Sequence, residues 1–358
     1  MYKIDVSNLK PGMKVGKEVF NIAGRLLLSK DTILSSQFID KLEPCGIKEI
    51  YVEDEKFSPP QDYIQYRISK KEAIYQDSTK IVRNIMDKIR ENQSIDIKGV
   101  KDMVGEVVNE IIGDSYAFIQ LSSVRDMDNY TYLHSMDVCV YAIILGKGYG
   151  MPRSVLNKLG LGAILHDVGK GKVPPEILLK PGPLNDEEFG IMKKHTVWGY
   201  EIVNGCYNIE ETISNIVLQH HEHWDGNGYP MGLKGYEIDF FSRIVTICDI
   251  YDALTGDRVY RKRVLPHEAA EYIINTSGNI TDPNLIKNFV RDVAVYPVGT
   301  TVILNTGEIG RVSKINDSMP LRPVIEIYSN VNPNDRDVKR RNVNLMENLT
   351  LFIEDVIS

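Results

Sequence analysis

The sequence predicts a mainly α protein: an all-helical central domain preceded by a small N-terminal α+β module and a helical connector, and followed by a small C-terminal β-meander. Three observations predict this. Apolar residues recur at helical spacing through most of the chain. Short β-rich runs punctuated by glycine, proline and asparagine are confined to the two ends. A length of 358 residues also exceeds what one core usually organises, so more than one structural unit is expected.

Taken in order, residues 1–57 hold the β-rich runs Arg25 to Leu28 and Ile47 to Val52, with turns at Pro11-Gly12 and Gly24, and end near Ser58-Pro59-Pro60. Residues 58–117 read as a connector. Its apolar positions Ile81, Ile85, Met86, Ile89, Val104, Val107 and Ile111 fit two helices broken near Asn92 to Ile97. The helical period continues through 118–296, which contains all seven histidines, and this concentration marks the chemical domain. Residues 297–358 revert to short runs, Thr300 to Leu304, Gly310 to Ile315 and Val324 to Ile327, separated by turns. No internal repeat or low-complexity tract stands out.

Composition narrows the function. A net charge of −7 and a pI near 5.6 argue against coating long nucleic acid, while a small anionic ligand in a local basic pocket stays allowed. Cys45, Cys139, Cys206 and Cys248 lie far apart and form no C-x-x-C pair, so each reads as a small buried thiol. Met1 to Leu9 lacks the basic start and apolar stretch of a signal peptide, and no apolar run approaches the ~20 residues that cross a bilayer. A cytoplasmic protein without membrane insertion is expected.

The chemistry begins at His166-Asp167, where an apolar helix in Leu161 to Lys170 delivers two adjacent metal-capable side chains at its end. Neighbours on a helix diverge by about 100° and meet one site only if the helix stops there; Gly169 supports a stop. Further ligand types stand on other predicted helices: His134, His195, the pair His220-His221 closing an apolar segment, and Asp249 within Phe241 to Asp252. An ionised aspartate in so apolar a run is costly unless something positive meets it. Five imidazoles and two carboxylates exceed the needs of one tetrahedral zinc and suffice for two metals sharing a bridge, with Asp167 the natural bridge. Nitrogen-rich ligation disfavours Mg²⁺ and Ca²⁺ and suits Fe, Mn, Zn, Ni or Co.

Two such ions roughly 3.5–4 Å apart can hold a hydroxide at neutral pH and clamp phosphate oxygens during in-line displacement, which is the chemistry of phosphodiester hydrolysis. Lys170 could place an ammonium beside the phosphate or the departing oxygen. Its other reading is a solvent-exposed lysine at a helix end.

The run His220-His-Glu-His-Trp-Asp-Gly-Asn-Gly-Tyr-Pro230, following His166-Asp-Val-Gly-Lys170 and preceding Asp249, resembles the HD-GYP phosphodiesterases of the HD hydrolase superfamily. The resemblance covers residues 118–296. It implies an all-helical domain with a di- or trinuclear metal centre, iron or manganese foremost, that cuts cyclic di-GMP to pGpG or GMP. Carried over by residue, one metal would use His134, His166, Asp167 and Asp249, the other Asp167, His195, His220 and His221. Gly228 and Tyr229 would shape the wall that receives the substrate. Arg258, Arg261 and Lys262 would contact its phosphates, as guanidinium forks do, unless they are charges on a solvated face. Family members with three metals place a glutamate four residues before the first histidine, where this sequence has Tyr130. Two metals are therefore expected.

The neighbouring residues have milder readings. Glu222, His223 and Asp225 read as hydrogen-bonding or capping groups, Asp252 as an orienting group, His267 as a surface residue at a helix start, and Trp198 and Trp224 as core or pocket wall. Competing functions are hydrolysis of another cyclic dinucleotide such as cyclic GMP-AMP, a receptor that binds the dinucleotide without cutting it, and an HD hydrolase of mononucleotides, which the Gly-Tyr-Pro run disfavours. The connector's apolar stripe could pair with a second copy in a homodimer.

Overall fold

The computed structural model describes residues 2–10, 13–17, 19–20, 26–28, 32, 34, 38–39, 42, 47–53, 61–113, 130–256, 264–293, 296, 298–316, 318–330 and 340–357. It divides into two compact units, Met1–Lys70 and Lys71–Ser358.

In the first unit, β1 (Tyr2–Asp5), β2 (Lys14–Val15) and β5 (Glu49–Glu53) form an antiparallel sheet in the order β1-β5-β2. β3 (Val19–Phe20) pairs with β4 (Leu26–Leu28). The two-residue period of β5 decides its register: Ile50 and Val52 are buried while Tyr51 between them is half-buried, and Ile50 faces Ile4 across the ladder. Cys45 and the turns at Pro11-Gly12 and Gly24 lie outside the described residues.

Helix α1 spans Gln61–Arg90 and α2 spans Ile97–Gly113. Between them Asn92 takes a left-handed φ of 53°, a conformation asparagine tolerates, and the Asp96 carboxylate accepts from Lys98 N–H at 3.1 Å to start α2. Tyr75, Val82, Ile85, Met86 and Ile89 of α1 and Val100, Val104, Val107 and Ile111 of α2 join the main core. The stripe that the sequence offered for pairing with a second copy is therefore used within the chain.

The core continues through α3 (Tyr130–Gly148), α4 (Arg153–Leu165), α5 (Pro175–Leu178), α6 (Asp186–Lys193), α7 (His195–Asn204), α8 (Glu211–Gln219), α9 (Phe240–Thr255), α10 (Pro266–Asn275) and α11 (Ile286–Asp292). α3 is buried on every side from Leu133 to Leu145, as a helix at the centre of a bundle must be, and its apolar residues leave no polar face. Its neighbours are amphipathic and close around it. Cys139 and Cys248 are buried thiols in this core and Cys206 is half-buried.

The C-terminal strands β6 (Thr301–Leu304), β7 (Glu308–Lys314), β8 (Val324–Asn330), β9 (Arg341–Asn344) and β10 (Ile353–Ile357) form one antiparallel sheet in the order β10-β6-β7-β8-β9. Four strands make the expected meander, and β10 returns to close the free edge of β6. The architecture is the mainly α one that the sequence predicts. Among the described residues no helix is long and apolar enough to cross a membrane.

Candidate metal centre

Three of the histidines reach the centre by the same local device. His166 directly follows α4, His220 directly follows α8, and His195 stands where α6 has just ended. The last turn of a helix leaves carbonyls without intrahelical partners. Each imidazole answers one of them three residues back: Nδ1 of His166 with Ala163 O at 2.7 Å, Nδ1 of His195 with Met192 O at 2.7 Å, and Nδ1 of His220 with Val217 O at 2.9 Å. A carbonyl can only accept, so the proton sits on Nδ1 and Nε2 presents its lone pair to the site. Thr246, one helical turn before Ile250 on α9, donates at 2.8 Å to His220 O and helps fix that corner.

His134 comes from the second turn of α3 and is oriented differently. Its Nδ1 donates to Asp252 Oδ2 at 2.7 Å, and its Nε2 faces Asp249 Oδ1 at 3.1 Å and Asp167 Oδ2 at 3.6 Å. Asp252 is fully buried one turn beyond Asp249 on α9, and it acts as the orienting group that its spacing suggested.

Five imidazoles, those of His134, His166, His195, His220 and His221, gather around Asp167. Its Oδ2 lies 3.4 Å from His166 Nε2, and its Oδ1 lies 3.3 Å from His195 Nε2 and 3.8 Å from His220 Nε2. Ligand atoms of Asp167, His195, His220 and His221 all lie within 4.8 Å of one another, and so do those of His134, His166 and Asp167. Two groups of donors thus share one carboxylate. Asp249 borders both, at 3.1 Å from His134 and 4.0 Å from His221 Nδ1.

Two observations test whether these residues fit metal. Asp167 Oδ1 is buried and has no hydrogen-bond partner among the described residues, a costly state for a carboxylate oxygen. The Nε2 lone pairs of His195 and His220 stand 3.3 Å apart and both face that oxygen, an arrangement that is repulsive until a cation lies among them. Electrostatics agree. Burial lowers the pKa of His195 to about 4 and that of His221 to about 3, and it pushes His220 well below the usual range, so these rings are neutral at physiological pH, the form that can bind a cation. Burial opposes charge on Asp167 and Asp249, but Lys170 and the neighbouring imidazoles outweigh it at Asp167, as His134 does at Asp249, and both remain ionised. Around His134 burial is outweighed by Asp249 and Asp252, which hold the ring well above its ordinary value: this corner calls for positive charge.

Lys170 is placed inside the site, its ammonium bonded to Asp167 Oδ2, and is not the exposed helix-end lysine of the milder reading. Gly169 needs a correction. It does not stop the helix through a left-handed cap, since α4 already ends at Leu165 and Gly169 lies in a 3₁₀ turn, Val168–Lys172. Glycine is required there because a Cβ would come within 1.9 Å of His195 O and 2.5 Å of Gly199 N, where α7 crosses the turn.

Gly228 answers to the same constraint. A Cβ there would lie 2.2 Å from His223 N and 2.5 Å from His221 O, so the Gly-Tyr-Pro turn folds directly onto the ligand-bearing segment. Tyr229 then stacks on His221, with centroids 4.8 Å apart at 28°. Glu222 is buried and accepts from Met231 N–H at 2.6 Å and Leu233 N–H at 2.9 Å, holding the loop after the turn. Asp225 accepts from Asn227 N–H at 2.9 Å. The far side of the loop is clamped by Arg243. Its guanidinium lies 5.7 Å from Trp224, 5.2 Å from Tyr236 and 5.1 Å from Phe240, and it is bonded to Asp282 at 2.6 Å and to Ile238 O at 3.1 Å. Sequence reading missed this residue, because its partners come from three separate segments.

His267 also departs from expectation. It is half-buried rather than a surface residue, because its Nδ1 meets the buried Tyr296 hydroxyl at 2.5 Å. Trp198 and Trp224 are half-buried. Arg258, Arg261 and Lys262 lie outside the described residues, as does the side chain of Tyr130, although Tyr130 opens α3 one turn before His134.

Fold and site together define a helical histidine–aspartate domain built to hold divalent cations. The chain belongs to the HD domain family, in its HD-GYP form: the HD domain matches residues 106–285, flanked by a match to a "domain of unknown function (DUF3391)" over 1–100 and to a "KOW domain associated with HD domain" over 301–358. A cyclic di-GMP phosphodiesterase of Pseudomonas aeruginosa is 35% identical over 239 residues, covering 67% of this chain and 58% of that protein. A cyclic di-GMP phosphodiesterase of Thermotoga maritima is 38% identical over 172 residues, covering 48% and 46%. A 3′3′-cGAMP-specific phosphodiesterase of Vibrio cholerae is 34% identical, covering 46% of this chain and 32% of that protein. The chain spans about half the length of the curated relatives it matches. The solved structure of an HDG"Y"P protein from Bdellovibrio bacteriovorus has the same fold at a TM-score of 0.52 and 20% identity, covering 80% of this chain and 97% of that one.

Proposed function

We propose that this chain is a metal-dependent phosphodiesterase that hydrolyses cyclic di-GMP to pGpG, GMP or both. The observation that carries the reading is the pair of donor groups sharing Asp167. His134, His166, Asp167 and Asp249 would hold one divalent transition metal and Asp167, His195, His220 and His221 the other, with iron or manganese favoured and zinc, nickel or cobalt compatible. When bound, the pair supplies an activated water and neutralises charge on the phosphate.

The chain's own residues do the rest. Asp167 places one oxygen toward each donor group. Lys170, bonded to Asp167, adds an ammonium on the same side, where it can neutralise a phosphate oxygen or the departing alkoxide. Asp252 keeps the His134 lone pair aimed inward, and three carbonyls do the same for His166, His195 and His220. Gly228 and Tyr229 form the wall over His221, and Arg258, Arg261 and Lys262 are assigned to the substrate phosphates. In this reading residues 118–296 are the phosphodiesterase domain, 1–57 an α+β module, 58–117 a connector and 297–358 a β subdomain.

The cyclic GMP-AMP enzymes among the relatives support a second reading, hydrolysis of the mixed dinucleotide. A receptor that does not cut is disfavoured by the full set of donors. Turnover on a panel of cyclic dinucleotides separates these readings, and inactivity on all of them rejects hydrolysis. Asp167→Ala should lower turnover at least about 10³-fold, equivalent to roughly 4 kcal/mol, while the circular dichroism of the protein stays native. Elemental analysis after purification without chelator should count two metals per chain; three tightly held ions would refute the two-metal assignment drawn from Tyr130.

A further inference from the structure

Tyr229 is the middle of a ladder of rings that runs from the donor groups to the surface. On its inner side it stacks on His221 at 4.8 Å, and on its outer side Phe189 meets it edge to face, with centroids 6.3 Å apart at 81°. Phe189 is 43% exposed, and α6, which carries it, buries none of its residues. Core packing therefore does not explain an aromatic residue at this position.

The helix itself is fixed by other means. Asn185 and Glu188 close a capping box at its start, and Lys180 is bonded to Glu188 at 2.6 Å. Lys193, one turn after Phe189, places its ammonium 4.7 Å from the Phe189 ring centre and 5.4 Å from that of Tyr229. It has no carboxylate within ion-pair distance among the described residues. An exposed ring, a second ring leading to the donor groups and an uncommitted ammonium in the notch between them have the chemistry of a nucleobase seat.

We propose that Phe189 and Lys193 form the base subsite of this enzyme: a purine stacks on Phe189 beside Tyr229, and the Lys193 ammonium donates to its acceptor edge. Guanine offers two acceptors there, O6 and N7, where adenine offers N7 and a donating amino group, so the lysine favours guanine. The subsite rests on the phosphodiesterase reading and adds base selection to it.

The test compares wild type, Phe189→Ala, Phe189→Trp and Lys193→Met, at matched metal content, on cyclic di-GMP, cyclic di-AMP and bis(p-nitrophenyl) phosphate, a diester without a base. Phe189→Ala should raise KM for cyclic di-GMP about 10-fold or more, the usual loss on removing a stacking ring. Its kcat/KM for cyclic di-GMP should fall at least about fivefold further than that for the base-free diester, and Phe189→Trp should recover most of the difference. Lys193→Met should shrink the preference for cyclic di-GMP over cyclic di-AMP about tenfold. Equal losses on both diesters, an unmoved KM, or an unmoved base preference overturn the subsite. A wild type that cleaves the base-free diester but no cyclic dinucleotide overturns the functional reading itself, and this is read before any variant is made.

Discussion

His134, His166, Asp167, His195, His220 and Asp252 are all at most 4% exposed in the helical domain, whereas the C-terminal sheet buries Val302, Leu304, Val312, Ile325 and Ile327 and, among the described residues, no charged side chain. Both regions exclude water, with opposite consequences. Apolar side chains gain from burial, while imidazoles and carboxylates lose hydration and recover it only through partners. A sheet residue is thus chosen for packing, and a residue of the donor cluster is kept in spite of packing. Substitutions should sort accordingly: in the cluster they remove function and spare the fold, and in the sheet they do the reverse.

The largest effect is expected at Asp249. Asp249→Ala removes a carboxylate that burial opposes and that His134 above all, with His221 and His166, compensates. Turnover should fall at least about 10³-fold and metal content should drop, while the melting temperature in chelator stays within a few degrees of wild type. Parallel loss of activity and of melting temperature would erase the contrast between the two regions. Gly228→Ala comes next. The added methyl would stand 2.2 Å from His223 N, so the turn must open and Tyr229 must leave His221. Misplacement by about 1 Å near reacting groups costs roughly 10²-fold in kcat, and steady-state kinetics on cyclic di-GMP measures it.

The same contrast explains what could be read before the fold was known. Metal chemistry draws on few residue types, and His166 and His220 advertise themselves by ending apolar runs, so the donors stand out in sequence. The reasons for glycine at 169 and 228 do not, because each answers to backbone brought close by folding. Arg243 was hidden for a similar reason, with Trp224, Tyr236 and Asp282 far apart along the chain. In the sheet, β9 and β10 escaped notice because, among the side chains described, each buries a single apolar residue, Val343 and Ile353, too little for a period to show. Their pairing partners β8 and β6 supply the rest of the pattern.

Ile325→Ala tests the sheet side of the comparison. Ile325 is fully buried near the start of β8, where it pairs with Val312 of β7 and Val343 of β9, and truncating such a residue costs about 2–5 kcal/mol. Chemical denaturation should show that loss, while metal content and kcat per folded molecule match wild type. A coincident loss of metal would mean that the sheet supports the centre as well as itself.

The smallest effect belongs to Arg243→Lys, which probes the border between packing and function. The charge survives, but a lysine ammonium cannot reproduce a planar guanidinium set against three rings while bonded to Asp282 and Ile238 O. Asp282 is 1% exposed at its side chain, so a poorly matched partner leaves it partly unpaid in hydrogen bonds. A loss of about 1–2 kcal/mol is expected on unfolding. Because Trp224 and Tyr236 belong to the loop that carries Gly228 and Tyr229, KM should rise a few-fold with kcat less affected. A change in stability with no change in KM would assign Arg243 to packing alone and leave the loop held by Glu222.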